Sequence, residues 1–350
     1  MSQTQPKPVQ LSILESLPVE IIQKIFLFSL EVNLPRASIH IARVLSTPLV
    51  YTWLLRVAFS STNESSRHDF FTRDYLPEEA DVFALSLKER AKLQTAILEC
   101  RWCTLSLMRK CQQEYICHVL RRKCQDLIFS PEDQRILSNI SSYFKDMRRY
   151  DHGSMGRRGR GDLILRAKKP DTNQEDQQDS GSGSGSNSDR AMLVAIWFHF
   201  GAVEIRRPGP VYFTTDLFHF PSCAEIAPAR MPDKLLQAPW GEPKLEFLRL
   251  LSLDAYIDED SSCARSKRVL RQLIRERDFE TFQVLLRMYI RKKDYNYPFL
   301  WPARRCHFLD ALSYAEGKSD PFVALLFQER WDDVPMRDKR VKDFLMSMMF

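Results

Sequence analysis

Glycine is nearly missing outside one stretch: seven of the eleven glycines fall between Gly153 and Gly185, and only Gly201, Gly209, Gly241 and Gly317 lie elsewhere. Four scattered glycines leave few places for a phosphate-cradling turn, and the chain has neither a glycine-lysine phosphate loop nor a dinucleotide fingerprint. It also lacks His-Glu-x-x-His and Gly-x-Ser-x-Gly, the signatures of metalloprotease and serine-hydrolase chemistry. The longest apolar run, Ala191 to Phe198, is eight residues, against the ~20 that a membrane helix needs. The first ten residues are polar and carry no apolar signal-peptide region. These absences predict a protein with no catalytic residues, no cofactor and no membrane span, placed in the cytoplasm, the nucleus or both.

What is present allows a substantial fold, since 44% of the 350 residues are hydrophobic, enough for two or three domains with real cores. Eight cysteines without a secretory signal read as reduced thiols rather than a disulfide framework. Cys100, Cys103, Cys111, Cys117, His118 and Cys124 invite a zinc reading. On one continuous helix, however, Cys100, Cys103 and Cys111 share a face that Cys117 and Cys124 do not, and no Gly or Pro from 100 to 124 lets the chain fold back. No metal site is expected. His199 and His219 sit among aromatics and are expected as hydrogen-bonded core histidines.

The net charge of +6 is local: residues 142 to 169 hold nine Lys or Arg against three Asp. The Ser-Gly run and Gln-rich acidic stretch that follow offer little apolar surface to offset the entropy of ordering them, so residues 150 to 190 are expected to be a disordered linker. Arg157-Arg158-Gly159-Arg160-Gly161 within it is the kind of flexible Arg-Gly stretch that neutralises phosphates. There is one such cluster and acids follow it, so nucleic acid is not the expected partner.

Apolar spacing predicts a mainly α chain. Before the linker, Leu93, Ile97, Leu98, Leu105, Met108, Ile116, Val119, Leu120 and Leu127 fit one or two amphipathic helices, and Ser130-Pro131 reads as a further helix start, making the N-terminal half all-helical. After it, residues 203 to 214 fit either a short β-hairpin or an irregular apolar loop. Further on, Val269-Leu270 with Leu273 matches Phe308-Leu309 with Leu312, and Phe282 with Leu285-Leu286 matches Phe322 with Leu325-Leu326. Each unit is a helix, a turn near Asp278 or Asp320, and a second helix; such pairs should stack, because neither covers its own apolar face. This pattern resembles degenerate ankyrin-type repeats, although the Thr-Pro-Leu-His signature is absent and another helical array fits equally well. Trp240, Tyr289, Tyr295, Tyr297, Phe299, Trp301 and Trp331 are candidate surface aromatics there, each of which also fits a core position.

Residues 13 to 30 carry the functional signal. Ser16 is a candidate cap, Pro18 stands in the first turn, and Glu20 complements the helix dipole. Ile21, Ile22, Ile25, Phe26, Leu27, Phe28 and Leu30 make the helix more apolar than one side of a small three-helix unit can bury. Two further helices are expected, around Ile39 to Leu45 and Tyr51 to Phe59, separated by a break at Pro48.

Leu17-Pro18-Val19-Glu20-Ile21-Ile22 followed by Ile25-Phe26 resembles the opening of the F-box, and the match continues more loosely to about Phe59. The rest is similar in texture to F-box proteins of filamentous fungi. The resemblance implies a non-catalytic substrate receptor of a Skp-cullin-F-box ubiquitin ligase, docking on a Skp-type adaptor and through it a cullin, with an unidentified protein substrate. It assigns Leu17, Pro18, Ile21, Ile22, Ile25 and Phe26 as adaptor contacts, with Leu17 and Phe26 as anchors. Only Trp53 stands near the tryptophans usual in the later part of that motif. The alternatives are a very apolar core helix in an ordinary domain, and a helical-repeat scaffold unrelated to ubiquitin. The expected organisation is an F-box at 11–60, a helical region at 61–149, the linker at 150–190 and a helical-repeat-like domain at 191–350.

Overall fold

Hydroxyl side chains and prolines set where the N-terminal helices begin. The computed structural model describes residues 12–145, 161–170, 190–209, 213–259, 264–318, 320–334 and 338–349, and divides into two units, Met1–Ser222 and Cys223–Phe350. In the first, α1 (Val19–Ser29) is followed by α2 (Ile39–Leu45) and α3 (Pro48–Phe59). The Ser38 and Thr47 hydroxyls cap α2 and α3 by accepting the Ile41 and Val50 amides at 3.2 and 3.3 Å. Pro48, expected as a break, takes the first helical position of α3, where a missing N–H costs nothing.

A reciprocal Ser86–Glu89 capping box opens α4 (Leu87–Glu99), and Thr104 caps α5 (Leu105–Lys123). The chain therefore turns at residues 100–104 without Gly or Pro, and Cys100 and Cys103 do not share a helix with Cys111. The cap hydroxyl of Thr104 starts the new helix, a signal that a search for Gly and Pro misses. Seven free cysteines lie among the described residues; Cys103, Cys111, Cys124 and Cys223 are buried. Helix α3 packs on both α4 and α5. In its last turn the Ala58 carbonyl accepts from Arg90 Nε (2.9 Å) and Gln94 Nε2 (2.7 Å), so α4 helps complete the end of α3.

Next come β1 (Ile128–Phe129), α6 (Pro131–Ser138), α7 (Ile140–Tyr143), β2 (Leu163–Lys168), β3 (Ala191–Trp197), β4 (Ala202–Arg206) and β5 (Leu217–His219). Ser130 caps α6 through Asp133 N–H at 3.1 Å, with Pro131 at the first position, as the sequence predicts. The five strands form one antiparallel sheet in chain order.

The sheet corrects two expectations. The N-terminal half is not all-helical. Nor do residues 150–190 separate two domains: β2 lies inside that stretch and pairs along its length with β3, from Leu163–Ile196 to Lys168–Ala191. Residues 191–222 accordingly belong to the first unit. Of the other linker residues, 150–160 and 171–189 lie outside the described residues. The strand has the period-two signature, with Leu165 and Ala167 buried and Ile164, Arg166 and Lys168 exposed. Its six residues are inconspicuous among flanking glycines and charges.

β4 pairs with β5, from Ala202–His219 to Glu204–Leu217, so its partner strand lies beyond the 203–214 expected of a hairpin, of which residues 210–212 lie outside the described residues. At the β3–β4 turn Gly201 has φ +72°, and a Cβ there would stand 2.1 Å from the Phe220 carbonyl. The sheet closes back on the helices: Ser222 N–H donates to Phe59 O (2.8 Å) and Ser61 N–H to His219 O (3.2 Å).

The second unit holds α8 (Glu242–Leu251), α9 (Arg265–Glu276), α10 (Phe279–Leu286), the hairpin β6 (Tyr289–Lys292) and β7 (Tyr295–Leu300), α11 (Arg305–Ser313), α12 (Pro321–Arg330) and α13 (Lys339–Met349). The two helix pairs stack, α9 on α11 and α10 on α12. Val269, Leu270, Leu273, Phe308, Phe282, Leu285, Leu286, Phe322, Leu325 and Leu326 are all buried. Asp278 and Asp320 cap α10 and α12 at the two expected turns. Arg277, at φ +59°, ends α9 and reaches the second turn: it pairs with Asp320, whose side chain is inaccessible to solvent, and lies 4.6 Å from the Phe322 ring centroid. Arg271 and Asp310 join α9 to α11 at 2.7 Å, and Arg287 and Glu329 join the α10 end to α12.

Candidate functional site

Two turns of chain set the start of α1. Ser12 and Glu15 bond reciprocally (Ser12 N to Glu15 Oε2, 2.8 Å; Glu15 N to Ser12 Oγ, 3.3 Å), closing a 3-10 turn at Leu14–Ser16. Hydrogen bonds from the Ser12 amide and then the Ser38 hydroxyl bring the Glu15 carboxyl down to about 2. Ser16 is absorbed in this turn, its hydroxyl donating to Ile13 O at 2.7 Å, so it does not cap α1. Pro18 stands at the cap position instead, extended at ψ 148°. The helix ends at Leu30 in the left-handed region (φ 48°), whose N–H bonds Phe26 O at 2.8 Å.

Apolar residues cover two faces of α1. Ile22, Phe26 and Leu27 are buried, and α1 packs on α2, which buries Ile41, Val44 and Leu45. On the other side Ile21, Ile25 and Phe28 are 41%, 38% and 71% exposed, and with exposed Pro18 they follow i, i+3, i+4 spacing, one continuous stripe. Beyond the stripe, Ile13, Val19, Ile39 and Leu49 are exposed as well. Lys24 ties the helix to Glu79 at 2.8 Å, and the pairing raises the Lys24 pKa.

The six residues that the resemblance assigns thus divide. Pro18, Ile21 and Ile25 stand outward and Leu17 is half-buried, whereas Ile22 and Phe26 lie in the unit's own core. Phe26 is therefore corrected from anchor to core residue: it is 1% exposed and has no surface left for a second protein. The outward aromatic is Phe28, recoverable from its three-residue spacing to Ile25. Trp53 is half-buried on α3.

The other singled-out residues are placed as follows. His199 is buried, with Nδ1 3.2 Å from Arg109 Nη2, and half-buried His219 bonds Phe200 O through Nε2 at 3.0 Å. Burial, partly opposed by backbone bonds to Phe70 O and Lys267 O, pushes His118 and His307 down to about 4. Of the candidate surface aromatics, Tyr289, Tyr295 and Tyr297 are exposed on the β6–β7 hairpin, while Trp240, Phe299 and Trp331 are half-buried. Trp301 is fully buried, its Nε1–H donating to Ser266 O at 3.2 Å, and takes the core position that the sequence also allows it. Among the described residues no helix is long and apolar enough to cross a membrane. No family model matches the chain, and neither the curated proteins nor the solved structures yield a match.

Proposed function

We propose that the chain is the substrate-receptor subunit of a Skp-cullin-F-box ubiquitin ligase, docking on a Skp-type adaptor through α1 and presenting a protein target through its C-terminal helix pairs. The observation that carries this reading is the outward stripe Pro18, Ile21, Ile25 and Phe28, on a helix opened by Leu17-Pro18 and already packed on its other side. Apolar surface in a continuous row on a helix is what a partner groove takes up. The role is non-catalytic, and transfer chemistry belongs to the ligase partners. The alternation of helix pair, hairpin and helix pair supports the degenerate ankyrin-like reading of the second unit, whose stacked pairs offer an extended partner surface. The cytoplasm, the nucleus or both are the proposed locations.

The test is capture of the full chain by a purified Skp-type adaptor. The chain should bind, and Ile25→Asp, an exposed change that spares the core, should abolish capture, as should Leu17→Ala with Pro18→Ala. Full capture of the Ile25→Asp chain, or none of the native chain, would refute the assignment and leave the helical-repeat scaffold reading in its place.

A further inference from the structure

The basic stretch that the sequence singles out does not end in a linker: its last part is β2, and the sheet adds cations from far along the chain. Because β2, β3 and β4 are antiparallel, the end of β2, the start of β3 and the end of β4 meet at one end of the sheet. Across the strands Arg166 opposes Leu193, which opposes Arg206, and one step further Ile128 opposes Lys168, which opposes Ala191. Two adjoining grooves open there, of about 690 and about 500 Å³, and both include Met192 and Pro208. Arg166 and Lys168 line the first; Lys169, Arg206 and Arg207 line the second.

The cations differ in what they already hold. Arg206 is committed: it lies 3.2 Å from buried Glu204 and donates to the Arg207 and Gly209 carbonyls. Arg166, Lys168, Lys169 and Arg207 are exposed and have no ion pair among the described residues. Their neighbours in the grooves are apolar and aromatic, with Phe213 59% exposed and Phe129 half-buried. The acids nearby are Asp216, whose pKa burial raises, and Asp133, whose Oδ2 accepts the Arg166 amide at 3.3 Å. Asp133 and the β1 pairing at Ala167 and Lys168 satisfy this edge of β2, so a peptide finds no open strand there to extend. Cations alternating along a strand stand about 6.8 Å apart, close to the repeat of an extended sugar-phosphate backbone, and rings beside them supply stacking surface.

We propose that this end of the sheet is a binding site for single-stranded nucleic acid, with Arg166, Lys168, Lys169 and Arg207 on phosphates and Phe213 under a base. The site is independent of the adaptor stripe. It also differs from the Arg-Gly stretch at 157–161, whose last glycine has a structural reason: a Cβ at Gly161 would stand 2.7 Å from the Ile196 amide nitrogen.

The test is fluorescence anisotropy of the full chain with a labelled oligouridylate at several salt concentrations. The native chain should bind with strong salt dependence. Replacing Arg166, Lys168, Lys169 and Arg207 together by Gln should weaken binding by about tenfold or more and reduce the log-log salt slope by about 2 to 3, at ~0.7 for each phosphate of a single strand that is no longer neutralised. Phe213→Ala should weaken it by about fivefold at an unchanged slope. All five positions are exposed, and an unchanged thermal midpoint verifies the fold. Absence of binding at low salt, native affinity in the fourfold variant, or full loss on deleting residues 150–160 alone would overturn the proposal. So would equal binding of polyglutamate, which would point to an acidic protein segment instead.

Discussion

Helix α1 and the helices α10 and α12 are comparably rich in apolar residues, but they dispose of them differently. In α9 to α12 no large apolar side chain is left exposed, because each pair lies on the other, and the charged residues form staples such as Arg277–Asp320 and Arg271–Asp310. In α1 the chain buries Ile22, Phe26 and Leu27 and leaves Ile21, Ile25 and Phe28 in water. Apolar density therefore marks burial only when the fold supplies a cover for every face. The excess on α1 sets it apart from α10 and α12, and it is the surface on which the proposed adaptor docking rests.

The sharpest way to break this comparison is to truncate one aromatic from each face of α1. Phe26→Ala should lower unfolding free energy by about 3 to 5 kcal/mol in urea titrations, the range for a fully buried ring. Phe28→Ala should leave the midpoint nearly unchanged while weakening adaptor binding by about 1 to 3 kcal/mol. Equal stability losses would show that both faces are core.

On the repeat side, Asp320→Ala removes a cap and strands Arg277 and should cost about 3 kcal/mol, the lower end for a broken buried pair because Arg277 is partly exposed. Burial opposes ionisation of Asp320, but Arg277 and the backbone amides of Glu316 and Val323 outweigh it and hold the pKa down. That contribution is thus complete above the ordinary carboxylate range and disappears as pH falls through the depressed folded value. A native-like acid limb in the denaturation of Asp320→Ala would refute the staple.

The smallest effect concerns His307, whose Nδ1 accepts the Arg304 amide at 2.9 Å while Nε2 donates to Lys267 O. Its folded pKa of about 4 lies below the unfolded value near 6.5, so the unfolded chain takes up the proton first. Stability is complete above the unfolded pKa and should fall by about 2 kcal/mol between pH 7 and pH 5. His307→Gln should flatten that slope; an unaltered slope would assign it to another group, His118 first.

These regions were legible to different degrees for physical reasons. The starts of α6, α10 and α12 show in Ser130, Asp278 and Asp320, because a cap is a local interaction. The two faces of α1 could not be ranked from sequence: both are apolar, and only the position of α2 decides that Phe26 turns inward and Phe28 outward. The sheet was mostly hidden, since β1 has two residues and β2 gains its meaning from β3, some thirty positions later. The cation cluster was half legible, Arg166, Lys168 and Lys169 by density, Arg207 only through the fold.

The bonds joining Phe59 to Ser222 and Ser61 to His219 bear on how the chain can be made and cut. A ribosome releases α3 long before the segment that completes its far end, so the N-terminal unit waits through the synthesis of some 160 residues for its last partners. A fragment stopped at the glycine-rich stretch would not be a free-standing module. It would carry helices whose closing strands were never translated, and an expression plasmid for the N-terminal unit should run through Ser222.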